Sequence, residues 1–247
     1  MKTGVVACGA LALHVRRIAL DRGWDVEIRP LPPQLHNRPE RIAAAVDAEL
    51  RSLDCDRLAV AYADCGTYGA LDEVLREHGA KRLHGDHCYD VLALDEVREA
   101  LDEEPGTYFL TDFLVKTFDA SVARPLRLPE LRDAYFANYT RVLWVAQEPT
   151  PELLVQAEHA AELMGLRLKV REVGTDGLER QLEQLVGSGP VPRSGNPLDS
   201  AGAQPRLAVP GTRARATSTH AGTVRRQITP GHAAELQPTS GTGHHDG

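Results

Sequence analysis

The chain has no apolar run approaching the roughly 18–20 residues that a membrane helix requires, so no transmembrane span is expected. Its first residues, Met1-Lys2-Thr3, lead directly into a strand-like segment and not into the long apolar stretch of a secretory signal. A basic surplus is also missing, since 28 Lys and Arg stand against 35 Asp and Glu and leave a formal net charge of -7. A general nucleic-acid binder needs a basic stripe to engage phosphates, so specific nucleic-acid recognition is not expected. No Walker-type phosphate loop, G-x-G-x-x-G fingerprint or G-x-S-x-G elbow occurs, which leaves nucleotide and serine-hydrolase chemistry without support. The absence of export signals points to a cytoplasmic protein. There thiols stay reduced, and the four cysteines suggest metal binding or catalysis before disulfides.

From about residue 187 the composition turns to Gly, Pro, Ser, Thr and Arg with no aromatic residue. Such a stretch cannot bury enough apolar surface to offset chain entropy, so 187–247 reads as a disordered tail. Its His244 and His245 are expected to bind stray metal at most. Residues 1–186 suffice for one core. Strand-like and helix-like periods alternate along them, joined by short turns, and predict an α/β fold: a single open, mostly parallel, Rossmann-like three-layer sheet. The stretch from about 89 to 138 reads as a helical insertion without a convincing strand. Within it, Phe109–Phe118 is expected to be helical, and Asn37-Arg38-Pro39-Glu40 reads as a capping box opening a helix.

Cys8, Cys65 and Cys88 each stand where a run stops and a polar turn begins. In a parallel sheet the carboxyl ends of strands share one edge, where open α/β sheets place their ligands. The three thiols are therefore expected in one small volume. Cys8-Gly9 and Cys65-Gly66 each lead into a helix, whose N-terminal dipole would favour thiolate. Near Cys88 stand His84, Asp86 and His87. Thiolates with an imidazole suit zinc, and three thiolates also suit an iron–sulfur cluster. The expected ligands of one such metal centre are Cys8, Cys65, Cys88 and His87, with His84 an alternative. Each cysteine alone could equally pack as a small hydrophobe, and Cys55, at the opposite end of its strand, is read that way. His36, Arg38, Asp64, His84, Thr111 and Asp112 are candidate substrate contacts; Thr111 and Asp112 could instead cap a helix.

The segments Ala7-Cys8-Gly9-Ala10-Leu11, His36-Asn37-Arg38-Pro39-Glu40, Tyr62-Ala63-Asp64-Cys65-Gly66-Thr67, Gly85-Asp86-His87-Cys88-Tyr89 and Gly106-Thr107-Tyr108-Phe109-Leu110-Thr111-Asp112 resemble the prokaryotic family called domain of unknown function 1638. The resemblance assigns no role to a residue. It implies a context of corrinoid-dependent methyltransferases and one-carbon metabolism. Three functions follow as expectations. The first is a metalloprotein acting on a small molecule, possible methyl transfer included. The second is a non-catalytic accessory protein carrying a metal or corrinoid to a methyltransferase. The third is a metal-free enzyme with Cys65 as nucleophile and His87 or His84 as base. Oligomeric state is not legible.

Overall fold

The computed structural model describes residues 1–187, so the tail expected to be disordered lies, past Gly187 itself, outside the described residues. β1 (Thr3–Cys8) is buried along its whole length because it runs inside a sheet, which explains its unbroken apolar reading. α1 (Ala12–Asp21) buries Val15, Ile18 and Ala19 as one stripe. β2 (Val26–Leu31) then leads through two 3-10 turns, Pro33–Asn37 and Pro39–Arg41, into α2 (Ile42–Ser52). The expected capping box is not formed, and α2 starts at Ile42 without a side-chain cap. Pro39 is the cause: it keeps Arg38 out of the helical region, at φ -142° and ψ 62°.

β3 (Arg57–Ala61), α3 (Ala70–His78) and the two-residue β4 (Lys81–Arg82) follow. α4 (Cys88–Glu103), kinked at Ala93, leads to β5 (Thr107–Thr111) and α5 (Asp112–Phe118). The short α6 (Arg132–Phe136), β6 (Arg141–Ala146), α7 (Pro151–Met164), β7 (Arg167–Glu172) and α8 (Asp176–Gly187) complete the described chain.

The α/β class with parallel strands under helices is as expected. The single sheet is not: the strands form one sheet in the order β2-β1-β3-β4 and a second in the order β5-β6-β7. β4 pairs at only two positions and offers little edge for a fifth strand. The stretch expected as a strandless helical insertion contains β5, so Thr107–Thr111 is extended where a helix was expected from Phe109. Thr111 both ends β5 and caps α5, its Oγ1 accepting the Leu114 amide at 3.4 Å, so strand passes into helix with no turn residue between.

Side-chain alternation divides the second sheet between two cores. Phe109, Leu143 and Val145 join the core of the first sheet, together with Leu178 and Leu182 of α8. Tyr108, Leu110, Val142 and Trp144 pack in the other core, with residues of α5 and α7. Buried Arg141 ties the two halves, its guanidinium donating to the Ala100 carbonyl and to Thr107 Oγ1, both at 2.7 Å. Among the described residues no helix is long and apolar enough to cross a membrane.

In the first sheet the chain leaves β1 outward to β2, but leaves β3 the opposite way to β4. The order reverses between β1 and β3, so the segments leaving their carboxyl ends run to opposite sides. Open sheets bind ligands at such points.

Candidate functional site

Cys8 ends β1 at 1 % exposure, while Tyr62 and Cys65 follow the end of β3, so all three stand at that carboxyl edge. Gly9 brings in a fourth group. A Cβ at Gly9 would stand 2.5 Å from the Leu31 carbonyl oxygen and 2.7 Å from Pro33 Cδ. The bare glycine thus lets the Pro33–Asn37 turn lie directly on the turn after Cys8. That close approach delivers His36, whose Nε2 lies 3.7 Å from Cys8 Sγ. Its Nδ1 lies 3.0 Å from the Pro33 carbonyl oxygen. A carbonyl only accepts, so in the neutral ring Nδ1 carries the proton and Nε2 turns its lone pair toward sulfur.

Cys65 meets the same imidazole. Burial opposes charge on His36, but negative charge on Cys65 and a hydrogen bond with that thiol prevail, and the ring titrates above its ordinary value. The Tyr62 ring stacks on His36, centroids 5.9 Å apart and planes 19° from parallel. Tyr62 is fully buried, and its hydroxyl interacts with the Cys8 thiol in a contact that falls short of normal hydrogen-bond geometry. That hydroxyl stands beside the thiols. Burial first, then charge on Cys8 and Cys65, pushes the phenol far above its usual range.

Cys65 adopts φ +52°, a left-handed conformation uncommon outside glycine. Asp64 sustains it. The Asp64 carboxylate accepts from the amides of Gly66 (3.1 Å), Tyr68 (3.3 Å) and Gly69 (3.4 Å), and from Thr67 Oγ1 (2.9 Å). Converging amides of this kind form a concavity that elsewhere holds phosphate. Here the resident anion is Asp64 itself, so this expected substrate contact is occupied inside its own loop. Behind the loop, the Asp64 and Cys65 amides donate to the Gly85 and Asp86 carbonyls at 3.0 and 2.8 Å. Arg82, clamped on Asp72 at 2.7 and 3.1 Å, places its positive charge near Asp64 and Cys65.

Cys88 lies beyond the end of β4 and is the first residue of α4, so it is a helix-start cysteine and not a strand-end one. A helix start favours thiolate. Burial outweighs it, and with the charges of Cys65 and Cys8 it pushes the thiol well above its ordinary value. Burial likewise drives Cys8 up to about 11, against the opposing pull of the Ala10 and Leu11 amides. The negative charges of Cys65 and Cys8 thus bear on Cys88.

His87 caps α4: its amide donates to the Asp90 carboxylate at 2.8 Å, and its ring stacks on Tyr89 at 4.8 Å. Tyr89 in turn stacks on Phe109 at 4.9 Å. His84 is exposed, and its amide and carbonyl clasp the Gln181 side chain at 2.6 and 3.3 Å. It lines a groove of about 590 Å³ along α3, β4 and α8. His36 is the imidazole that reaches the thiols.

Arg38 is exposed on the link between the two 3-10 turns. Thr111 serves as the cap of α5. Asp112 is buried and accepts from Trp144 Nε1 (2.9 Å), the Gln147 amide (3.1 Å) and the Glu148 amide (2.8 Å), which ties β5 to the loop after β6. Cys55 packs at the other end of β3, near Gly4. Tyr62 was not expected at the centre, its position inside an apolar run being the sole trace in the sequence.

Among the described residues, no group of three or more His, Cys, Asp or Glu side chains is arranged to hold a metal ion as it stands. A family model described as Protein of unknown function (DUF1638) matches residues 30–182, more than half of the chain. The matched span contains His36, Tyr62, Cys65 and Cys88 and begins after Cys8. A comparison with curated proteins finds no match.

Proposed function

The chain belongs to the DUF1638 family, and we propose that it is a metalloprotein in which Cys8, His36 and Cys65 hold one soft metal ion, zinc in the first instance, with Cys88 beside it. The observation that carries the reading is the Cys8–His36 contact. Tetrahedral zinc, with Zn–S near 2.3 Å and Zn–N near 2.0–2.1 Å, sets the two donor atoms about 3.6 Å apart. Cys8 Sγ and His36 Nε2 stand 3.7 Å apart. Metal-bound imidazoles commonly give their other N–H to a carbonyl or carboxylate, as His36 does to Pro33. An imidazole among the donors favours a single ion over a thiolate-held cluster.

Cys65, half-buried on a turn, supplies the third donor of the proposed set. The ion would replace the thiol protons and compensate thiolates that burial disfavours. Three protein ligands leave a fourth position, which suits Lewis-acid chemistry on a small molecule. The corrinoid context implied by the resemblance adds no residue to this centre and forms no part of the proposal.

A second reading is favoured by the Cys65–His36 pairing: a metal-free nucleophile, Cys65, with His36 as its base in place of His87 or His84. One experiment separates the two. The full chain is purified without oxygen, alongside a form with His244 and His245 replaced by Ala, and its metal is counted. The metal reading predicts about one ion per chain in both forms, lost together in Cys8→Ser, Cys65→Ser and His36→Ala. Metal content untouched by those substitutions overturns it. A metal-free protein whose Cys65 alkylates with a pH profile displaced by His36→Ala establishes the second reading.

A further inference from the structure

The groove of about 590 Å³ along α3, β4 and α8 contains none of the thiols and lies at the outer edge of the first sheet. β4 closes that sheet, with β3 as its one paired neighbour among the described residues. The Leu83 amide donates toward β3, to the Val60 carbonyl at 3.2 Å. Peptide groups of successive strand residues face opposite edges, so the N–H and C=O of Arg82 face away from β3. Two residues on, at His84, the outer edge is occupied. The His84 amide donates to Gln181 Oε1 at 2.6 Å, and its carbonyl accepts from Gln181 Nε2 at 3.3 Å. A single carboxamide thus takes both backbone groups of one residue, the exchange that a facing residue makes in an antiparallel pair. The two paired positions of β4 are too few to hold a permanent fifth strand, yet such an edge is a template for a short segment bound reversibly.

Charge decides which segment. Arg76, Lys81 and Arg82 line the groove against one carboxylate, Asp72, which Arg82 already holds at 2.7 and 3.1 Å. Arg76 and Lys81 are exposed, so the groove is basic on a chain whose formal net charge is -7. Leu75 and Leu185 add apolar lining. The chain's own residues beyond 187 carry six arginines against three acidic residues, the wrong sign for this groove. We infer that the groove docks an extended acidic segment of a partner protein, which bonds the outer edge of β4 at Arg82 and sets its carboxylates against Arg76 and Lys81. Gln181 closes the edge at His84 and confines pairing to that short stretch. The inference uses no residue of the thiol centre and stands whatever that centre binds.

The test selects displayed random peptides on the immobilised full chain and measures the strongest of them, synthesised with a dye, by fluorescence anisotropy. The selected peptides should be rich in Asp and Glu. Arg76→Glu with Lys81→Glu should weaken their binding about 10-fold or more. The same change of charge made away from the groove, Arg16→Glu with Arg98→Glu, should alter affinity less than about 3-fold, since salt screens distant charges. All four side chains are exposed, so neither pair disturbs the core. Amide exchange at Arg82 should be fast in the free protein and slowed by the peptide. Selection of no acidic peptide, unchanged affinity in the groove variant, or an equal loss in both variants overturns the inference. An Arg82 amide already protected before peptide is added also overturns it, by showing that the chain itself or a second copy covers the edge.

Discussion

Replacing Gly9 by alanine is the sharpest perturbation of the centre that touches none of its donors. The added Cβ would meet the Leu31 carbonyl oxygen at 2.5 Å, Pro33 Cδ at 2.7 Å and Pro33 N at 2.9 Å. These are backbone and ring atoms, with no flexible end to swing aside. Restoring even a tight 3.0 Å contact moves the Pro33 turn by roughly half an ångström. Overpacking of this kind costs about 1–3 kcal/mol. His36 travels with the turn, since its Nδ1 is bonded to the Pro33 carbonyl. Metal–ligand distances tolerate only about ±0.2 Å, so zinc affinity should fall about 10–100-fold, the range seen when supporting groups of a metal site are altered. Chemical denaturation reads the stability, and competition with a chromophoric chelator reads the affinity. A Gly9→Ala protein with stability within ~0.5 kcal/mol of the parent and unchanged zinc affinity would refute the claim that this close approach positions His36.

Asp64→Asn leaves one good acceptor where four donors converge, so it should destabilise the protein by roughly 1–3 kcal/mol and free Cys65 from its left-handed conformation, read as loss of zinc affinity. Asp112→Ala strands the Trp144, Gln147 and Glu148 donors and should cost roughly 2–5 kcal/mol, while zinc stoichiometry in the folded fraction stays the same. Burial lifts Cys8 from an ordinary 9.0 to about 11. The folded, metal-free protein thus holds that proton more tightly than the unfolded chain does. The stability it contributes is complete below pH 9 and is lost as pH rises toward 11, by about 2–3 kcal/mol. Cys8→Ser, followed by denaturation across that window, should lose less stability than the parent; an identical slope would contradict the placement of Cys8.

The class of the fold is legible because buried central strands and amphipathic helices carry different periods. β1 and β6 read as unbroken apolar runs, and α1 shows its stripe of Val15, Ile18 and Ala19. The division into two sheets is not legible, since strand pairing is decided by contacts between distant residues and not by any local pattern. β5 escaped because Thr111 serves strand and helix at once, which removes the turn residues that would mark a boundary. At the centre, the convergence of Cys8 and Cys65 follows from the shared edge of parallel strands. The choice of His36 over His87 does not, because it depends on Gly9 meeting Leu31 and Pro33 across the sheet. His87, next to Cys88 in sequence, is turned to cap α4 and stack on Tyr89. Adjacency along the chain misled where a helix start intervened.

X-ray absorption at the zinc edge of the zinc-loaded full chain, with His244 and His245 replaced by Ala, tests the central claim most directly. The account predicts two sulfur neighbours near 2.3 Å and an imidazole nitrogen near 2.0–2.1 Å, with the imidazole signal lost in His36→Ala and one sulfur lost in Cys65→Ser. A shell of light atoms alone, or an imidazole signal that survives His36→Ala, would contradict a metal centre at Cys8, His36 and Cys65.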